Sequence, residues 1–199
     1  MALKVRESFR VGVPPASVWK FLVDPARVVE CLPGAELTEM LDARTYRGRV
    51  TVKVGPISTV YEGTATLTEL DEQAHRMQMV GNGRERAAAG TARMTMVGVV
   101  VADPGGGSRV DVDATIDIAG RVMQFGGGLI ESVSRQLFHQ FAGAARATLE
   151  QHEATSKTAE SEAPLPPPAV DSASRELQAL PLLLRAIVDW LRRLFRRSR

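Results

Sequence analysis

The chain has 199 residues, enough for one ordinary domain and an appendage, and its 44% hydrophobic and 24% charged content belongs to a globular protein and not a disordered one. No run of about 18 uncharged apolar residues is present, which excludes a transmembrane helix. Cys31 is the sole cysteine, so no internal disulfide can form, and this fits a reducing cytoplasm. The charged N-terminal sequence Leu3-Lys4-Val5-Arg6-Glu7 is unlike a secretory signal. The formal net charge of +2 conceals an asymmetry: residues 173–199 hold seven arginines against Glu176 and Asp189, which leaves 18 basic and 21 acidic residues in 1–172. The basic character therefore belongs to the tail, and no general affinity for nucleic acid is expected.

Leu3–Val11 alternates as a first strand. Residues 13–23 then predict a helix begun through Pro14 and Pro15, with Val18, Phe21 and Leu22 at helical spacing. Asp24-Pro25 interrupts it, and Ala26–Cys31 predicts a second short helix stopped by Pro33-Gly34. Arg44–Val54 places Tyr46, Gly48, Val50, Val52 and Val54 on one face against Arg47, Arg49, Thr51 and Lys53, the period of two expected of a half-buried antiparallel strand. After the Gly55-Pro56 turn, Thr59–Leu70, Arg76–Val80 and Ala92–Val101 continue a meander. Beyond the loop at 103–107, Val110, Val112, Ala114, Ile116 and Ile118 oppose Asp111, Asp113, Thr115 and Asp117.

Met123–His152 predicts one long helix with a stripe of Phe125, Leu129, Val133, Leu137, Phe141, Ala144 and Thr148, widened by Ile130 and Phe138. Gly126-Gly127-Gly128 near its beginning weakens helix propensity, as a flexible start or a close backbone approach would require. The expected organisation is a domain over 1–152, a Pro-rich flexible linker over 153–173, and a basic amphipathic helix over 174–199. Strand, two short helices, antiparallel strands and a long helix define an α+β fold, in which a curved sheet wraps the long helix. Such a geometry often leaves an apolar cavity between the two.

The quoted segments resemble a known family. Val18-Trp19-Lys20-Phe21-Leu22-Val23-Asp24-Pro25, Cys31-Leu32-Pro33-Gly34, Tyr46 to Pro56, Tyr61-Glu62-Gly63 and Gly120 to Gly126 are similar to the carbon monoxide dehydrogenase G-subunit family. That family lies within the helix-grip superfamily, which also holds START lipid-transfer domains, class 10 plant pathogenesis-related proteins and polyketide cyclases. The resemblance spans roughly residues 1–150. It implies an accessory role beside molybdenum-containing carbon monoxide dehydrogenases or related oxidoreductases, including their attachment to the cytoplasmic membrane. It implies no molybdenum, iron–sulfur or flavin site in this chain.

Catalytic chemistry is not evident in the residues. His75, His139 and His152 are widely spaced and form no recognisable acid–base arrangement, and a satisfied or solvated histidine is the plainer reading of each. Cys31 reads as a small buried hydrophobe. Asp111, Asp113 and Asp117 lack companions for a metal and keep a strand face wet. The glycine run precedes no Lys-Ser/Thr, so it is not a phosphate loop.

Tyr61, Met77, Met79, Met94, Met96, Phe125, Leu129, Val133, Leu137 and Phe141 fall on predicted inward faces, and the flexible thioethers suit a pocket for a long apolar guest. Each could equally be a packed core residue. In the tail, Leu183, Leu184, Ile187, Val188, Leu191, Leu194 and Phe195 recur at spacings of three and four, with Trp190, Arg192, Arg193, Arg196 and Arg197 completing a surface suited to an anionic bilayer. Docking of that helix on a partner or on the domain is the competing reading.

The sequence thus leads to a non-enzymatic protein, cytoplasmic and peripheral on the inner face of the cell membrane. It would bind a lipophilic ligand non-covalently, a respiratory quinone or other isoprenoid lipid, and link a carbon monoxide dehydrogenase to the membrane. A pure recruitment adaptor with no ligand, and a cyclase or hydrolase using the cavity, are the alternatives.

Overall fold

The computed structural model describes residues 2–161. The elements run β1 (Ala2–Val11), α1 (Pro15–Leu22), α2 (Pro25–Glu30), β2 (Ala35–Met40), β3 (Thr45–Val54), β4 (Ile57–Asp71), β5 (Arg76–Glu85), β6 (Thr91–Ala102), β7 (Ser108–Ala119), a 3-10 helix (Arg121–Phe125) and α3 (Gly127–Ser161). Local chemistry accounts for the helix boundaries. Pro15 and Pro25 occupy first turns, where the missing N–H costs nothing. The Asp24 carboxylate accepts from the N–H groups of Ala26 and Arg27 at 3.0 and 3.4 Å, so it both ends α1 and caps α2.

All seven strands join one antiparallel sheet in the order β1-β7-β6-β5-β4-β3-β2. The first strand therefore lies at one edge and the second at the other, with α1 and α2 carrying the chain between them. Charged residues fill the outward positions and pair across strands: Arg49 with Glu36, Arg47 with Glu39, Arg76 with Glu69, and Arg6 with Asp113. These pairs are solvated and contribute little individually. The inward face is apolar and meets α1 and α3. Val13, Val18, Phe21, Val110 and Ala145 are at most 1% exposed. Phe9 on β1 sits edge-on to Phe138 and Phe141 of α3, with centroids 6.1 and 6.2 Å apart. This is the α+β arrangement, and the curved sheet around a long C-terminal helix, that the sequence predicts.

Four details differ. β2 is absent from the sequence reading; it is a six-residue edge strand with a bulge between Leu37 and Glu39, which breaks the alternation that would reveal it. β5 runs on to Glu85 and does not stop at Val80, because Gly81 and Gly83 imitate a turn while lying within the ladder. The long helix does not begin at Met123: residues 121–125 form a 3-10 turn, Gly126 takes a φ of 79°, and only then does α3 start. A Cβ on Gly126 or Gly128 would touch nothing, so no close approach demands either glycine, and a positive φ accounts for Gly126 alone.

α3 also continues past His152 to Ser161, into the segment expected to be linker. Alanine, glutamate and lysine there favour helix, and the first proline comes only at 164. Its buried face is Ile130, Ala142, Ala145 and Leu149, whereas Ala144 is exposed. The predicted stripe advanced by fours. Each such step overshoots a turn by about 40°, so a row of fours drifts off the core. The membrane segment with Leu183 to Arg197, and the rest of the predicted linker, lie outside the described residues. Among the described residues no helix is long and apolar enough to cross a membrane.

Candidate functional site

Between the concave sheet face, α1–α2 and α3 lies a cavity of about 440 Å³. Leu22, Val23, Pro25, Val28, Val29 and Leu32 line it from the α1–α2 side, and Ile130, Val133, Ser134 and Leu137 from α3. The sheet supplies the floor, and its register explains why there is space at all. Gly48 pairs with Gly63, Gly63 with Gly83, and Gly83 with Ala92, so a row of four small residues crosses β3, β4, β5 and β6. The neighbouring row, Tyr46, Ala65, Gly81, Met94 and Ile116, is small at its middle. Nothing larger than a methyl group rises from positions 48, 63, 65, 81, 83 and 92 to meet the helix. Gly63 is needed by the backbone as well, since a Cβ there would come within 1.8 Å of the Asn82 carbonyl. Gly81 and Gly83 are not so constrained: a Cβ at either would make only ordinary contacts, the nearest at 3.7 Å to Met94 and 3.5 Å to Tyr61. Their smallness maintains the hollow.

Hydrogen-bonding groups on the wall are few. The Ser134 hydroxyl donates to the carbonyl of Ile130 in its own helix at 2.9 Å. The Thr59 hydroxyl donates to Glu85 Oε1 at 2.8 Å, and Arg121 Nη2 approaches the same oxygen at 3.1 Å. The Glu85 side chain is 1% exposed and Arg121 58%, so a guanidinium at the surface pairs with one oxygen of a carboxylate beneath it. The Thr59 hydroxyl first, then Arg121, holds the Glu85 carboxyl below its ordinary range, with burial opposing. Tyr61 stands directly across from Glu85 in the register and lines the cavity. Its hydroxyl is buried and has no partner, and Glu85 Oε2 is likewise buried and unpartnered. Burial, aided by the Glu85 charge, pushes the Tyr61 phenol up from its usual value. The phenol accordingly remains a hydrogen-bond donor across the neutral range.

Of the ten residues expected on the cavity, Tyr61, Met79, Met94, Val133 and Leu137 line it. Five do not. Met77 belongs to the core and is 6% exposed, packed beneath Gly98, where a Cβ would sit 3.2 Å from its Cε. Met96 faces inward opposite Met79, off the wall. Phe125 packs in a separate apolar cluster with Val122 and Ile130, and Leu129 is 37% exposed. Both lie by Gly55 in the β3–β4 turn. Phe141 packs on Phe9. The shifted helix face accounts for Leu129 and Phe141, and the 3-10 turn for Phe125.

The sequence reading missed the glycine rows, the α1–α2 wall and the Thr59–Glu85–Arg121 network. Strands had to be aligned before glycines at 48, 63 and 83 could be seen as one row. His139 is exposed on α3 and His75 occupies the β4–β5 turn with a φ of 46°, its ring 5.6 Å from that of Trp19. Neither lines the cavity, nor does His152. Cys31 is buried, its sulfur 3.8 Å from the Thr148 hydroxyl. Among the described residues no cluster of histidine, cysteine and carboxylate side chains could hold a metal.

A curved antiparallel sheet gripping one long helix over an apolar hollow defines a protein of the helix-grip, START-like class. Solved structures share this fold at low sequence identity. A conserved protein from Geobacillus kaustophilus superposes with a TM-score of 0.68 at 15% identity, over 75% of this chain and 96% of that one. An aromatase/cyclase from a Streptomyces species gives 0.54 at 15%, over 76% and 95%. A START superfamily protein from Mycobacterium smegmatis gives 0.52 at 12%, over 74% and 97%. None of the curated proteins matches the chain. The chain belongs to the CoxG family, the G-subunit family of carbon monoxide dehydrogenase, whose sequence model matches residues 8–149.

Proposed function

We propose that this protein is a non-enzymatic carrier that draws a lipophilic redox molecule, a respiratory quinone, from the membrane and presents it to a carbon monoxide dehydrogenase. The apolar cavity carries the reading. Its volume of about 440 Å³ lies within the range of small-molecule sites, roughly 300–1,000 Å³. Each CH₂ of a guest moved from water to this wall contributes about 0.8 kcal/mol, so a short isoprenoid chain suffices for firm binding. The family name supplies the partner, because a subunit named for carbon monoxide dehydrogenase is an accessory to an enzyme whose electrons must leave it. The basic amphipathic sequence at 174–199 supplies the bilayer contact on the cytoplasmic face.

Extraction of lipids from the full chain purified out of bacterial membranes, followed by mass spectrometry, tests the carrier. A quinone recovered near one per chain is expected. Recovery of no lipid from such material overturns it and leaves a recruitment adaptor, in which the dehydrogenase is bound to the membrane without any passenger.

A further inference from the structure

We infer that Tyr61 reads the polar end of the passenger, donating its hydroxyl proton to a carbonyl oxygen of a neutral head group, and that the adjoining Glu85 carboxylate turns away anionic lipids. The inference rests on the carrier reading and adds the chemistry of the ligand to it.

Two orphaned atoms motivate the assignment. Among the described residues, Tyr61 Oη and Glu85 Oε2 are the buried side-chain polar atoms without a hydrogen-bond partner. Their residues face each other across β4 and β5; Tyr61 lines the hollow, and Glu85 is its cross-strand neighbour just off that wall. A buried hydroxyl without a partner is a standing cost to the empty protein, and a ligand oxygen removes it. Two other polar side chains on the inward wall are committed, Ser134 to its own helix and Thr59 to Glu85. A guest therefore finds in the buried Tyr61 hydroxyl an uncommitted donor on a mostly apolar wall. That pattern places one end of an elongated molecule and leaves the other end to hydrophobic contact.

The charge of Glu85 refines the class. Thr59 and Arg121 bond Oε1, and together with the Gly90 backbone they favour the ionised form, while Oε2 itself has no hydrogen-bond partner. Arg121 stands on the solvent side, 58% exposed. A fatty-acid carboxylate or a phosphate brought to Tyr61 would place a second negative charge within the field of this carboxylate, which already acts on the Tyr61 phenol. A quinone or other uncharged carbonyl compound meets no such opposition.

Equilibrium dialysis with the full chain tests the assignment using three probes: decylubiquinone, decylbenzene, which keeps a ring and tail without carbonyls, and palmitate. Tyr61→Phe is expected to weaken decylubiquinone about tenfold, the loss of one desolvated hydrogen bond, and to leave decylbenzene unchanged. The variant loses no hydrogen bond of the empty protein, so its melting temperature is expected to equal or exceed that of the wild type, which separates recognition from misfolding. Glu85→Gln is expected to raise palmitate affinity about tenfold or more. Equal binding of decylubiquinone by wild type and Tyr61→Phe overturns the assignment, as does wild-type binding of palmitate at or above the quinone. In either case a fall of about two orders of magnitude in decylubiquinone affinity in the cavity-filling variant Gly83→Leu leaves the carrier reading standing. An affinity unchanged in Gly83→Leu places the quinone outside this hollow and overturns the Tyr61 assignment with it.

Discussion

Gly83→Leu places four carbon atoms at the centre of the small-residue row. The backbone at Gly83 is within reach of any L residue, and the nearest atoms to a new Cβ are Tyr61 Cβ at 3.5 Å and the carbonyl oxygens of Ala92 and Glu62 at 3.9 Å. The side chain therefore extends into the hollow without displacing anything. Two effects of opposite consequence follow. Four carbons of guest lose their place, and at about 0.8 kcal/mol each this amounts to roughly 3 kcal/mol, or about two orders of magnitude in affinity. The ligand-free protein gains instead. A leucine buried in part contributes about 1–2 kcal/mol, and removal of a glycine from a strand interior adds about 0.5–1 kcal/mol. For a domain of this size each kcal/mol raises the melting temperature by about 2–4 °C, so an increase of about 4–8 °C is expected. Differential scanning calorimetry of delipidated protein and equilibrium dialysis of decylubiquinone measure the two. A variant that melts below wild type, or that binds the quinone unchanged, refutes the claim that this row keeps the space open.

Phe21, with 0% exposure, is the largest fully buried side chain, and Phe21→Ala is expected to cost about 3–5 kcal/mol in urea denaturation; a loss below about 1 kcal/mol would contradict its place at the core. The Glu85 carboxyl titrates below its ordinary range, so its stabilisation is present at neutral pH and disappears as pH falls through that depressed value. Thermal melts of Glu85→Gln should thus show a flatter acid limb than wild type below about pH 4 to 5, and parallel limbs would refute the network. Tyr61 has a raised value, so its contribution is intact below about pH 10 and is lost as pH rises through the folded-state value. Ultraviolet difference titration against Tyr61→Phe should show its phenolate forming above the range of a free tyrosine, and titration at the free value would refute its burial. Deletion of 174–199 should abolish flotation with anionic liposomes, and circular dichroism of the full chain should gain helix on their addition; a full-length chain that stays in the aqueous fraction ends the membrane reading.

Legibility in the sequence followed the range of the interactions. Strands with one wet face declared themselves, since Asp111, Asp113 and Asp117 alternate with apolar neighbours on β7. Helix boundaries at Pro15 and Asp24-Pro25 were equally plain, because the determinants are adjacent in the chain. The cavity was legible as an expectation, yet only half of its named residues fell on the wall. Met79 and Met77 sit two apart on the same face of β5, and one lines the hollow while the other packs in the core. What separates them is tertiary packing, which no local pattern records. The Glu85–Arg121 pair joins residues 36 apart, and nothing in either segment announces the other.

The pairing of β1 with β7, from Ala2 opposite Asp117 to Val11 opposite Ser108, governs how the molecule is made. The strand of this sheet made earliest needs the strand made last as its neighbour. At roughly 5–20 residues per second, synthesis of the intervening stretch takes about 5–20 seconds. Throughout that interval Leu3, Val5, Phe9 and Val11 form an apolar ribbon with no edge to join. Assembly of the sheet must therefore finish with the strand that was made earliest, and β1 is the segment on which chaperones and aggregation compete.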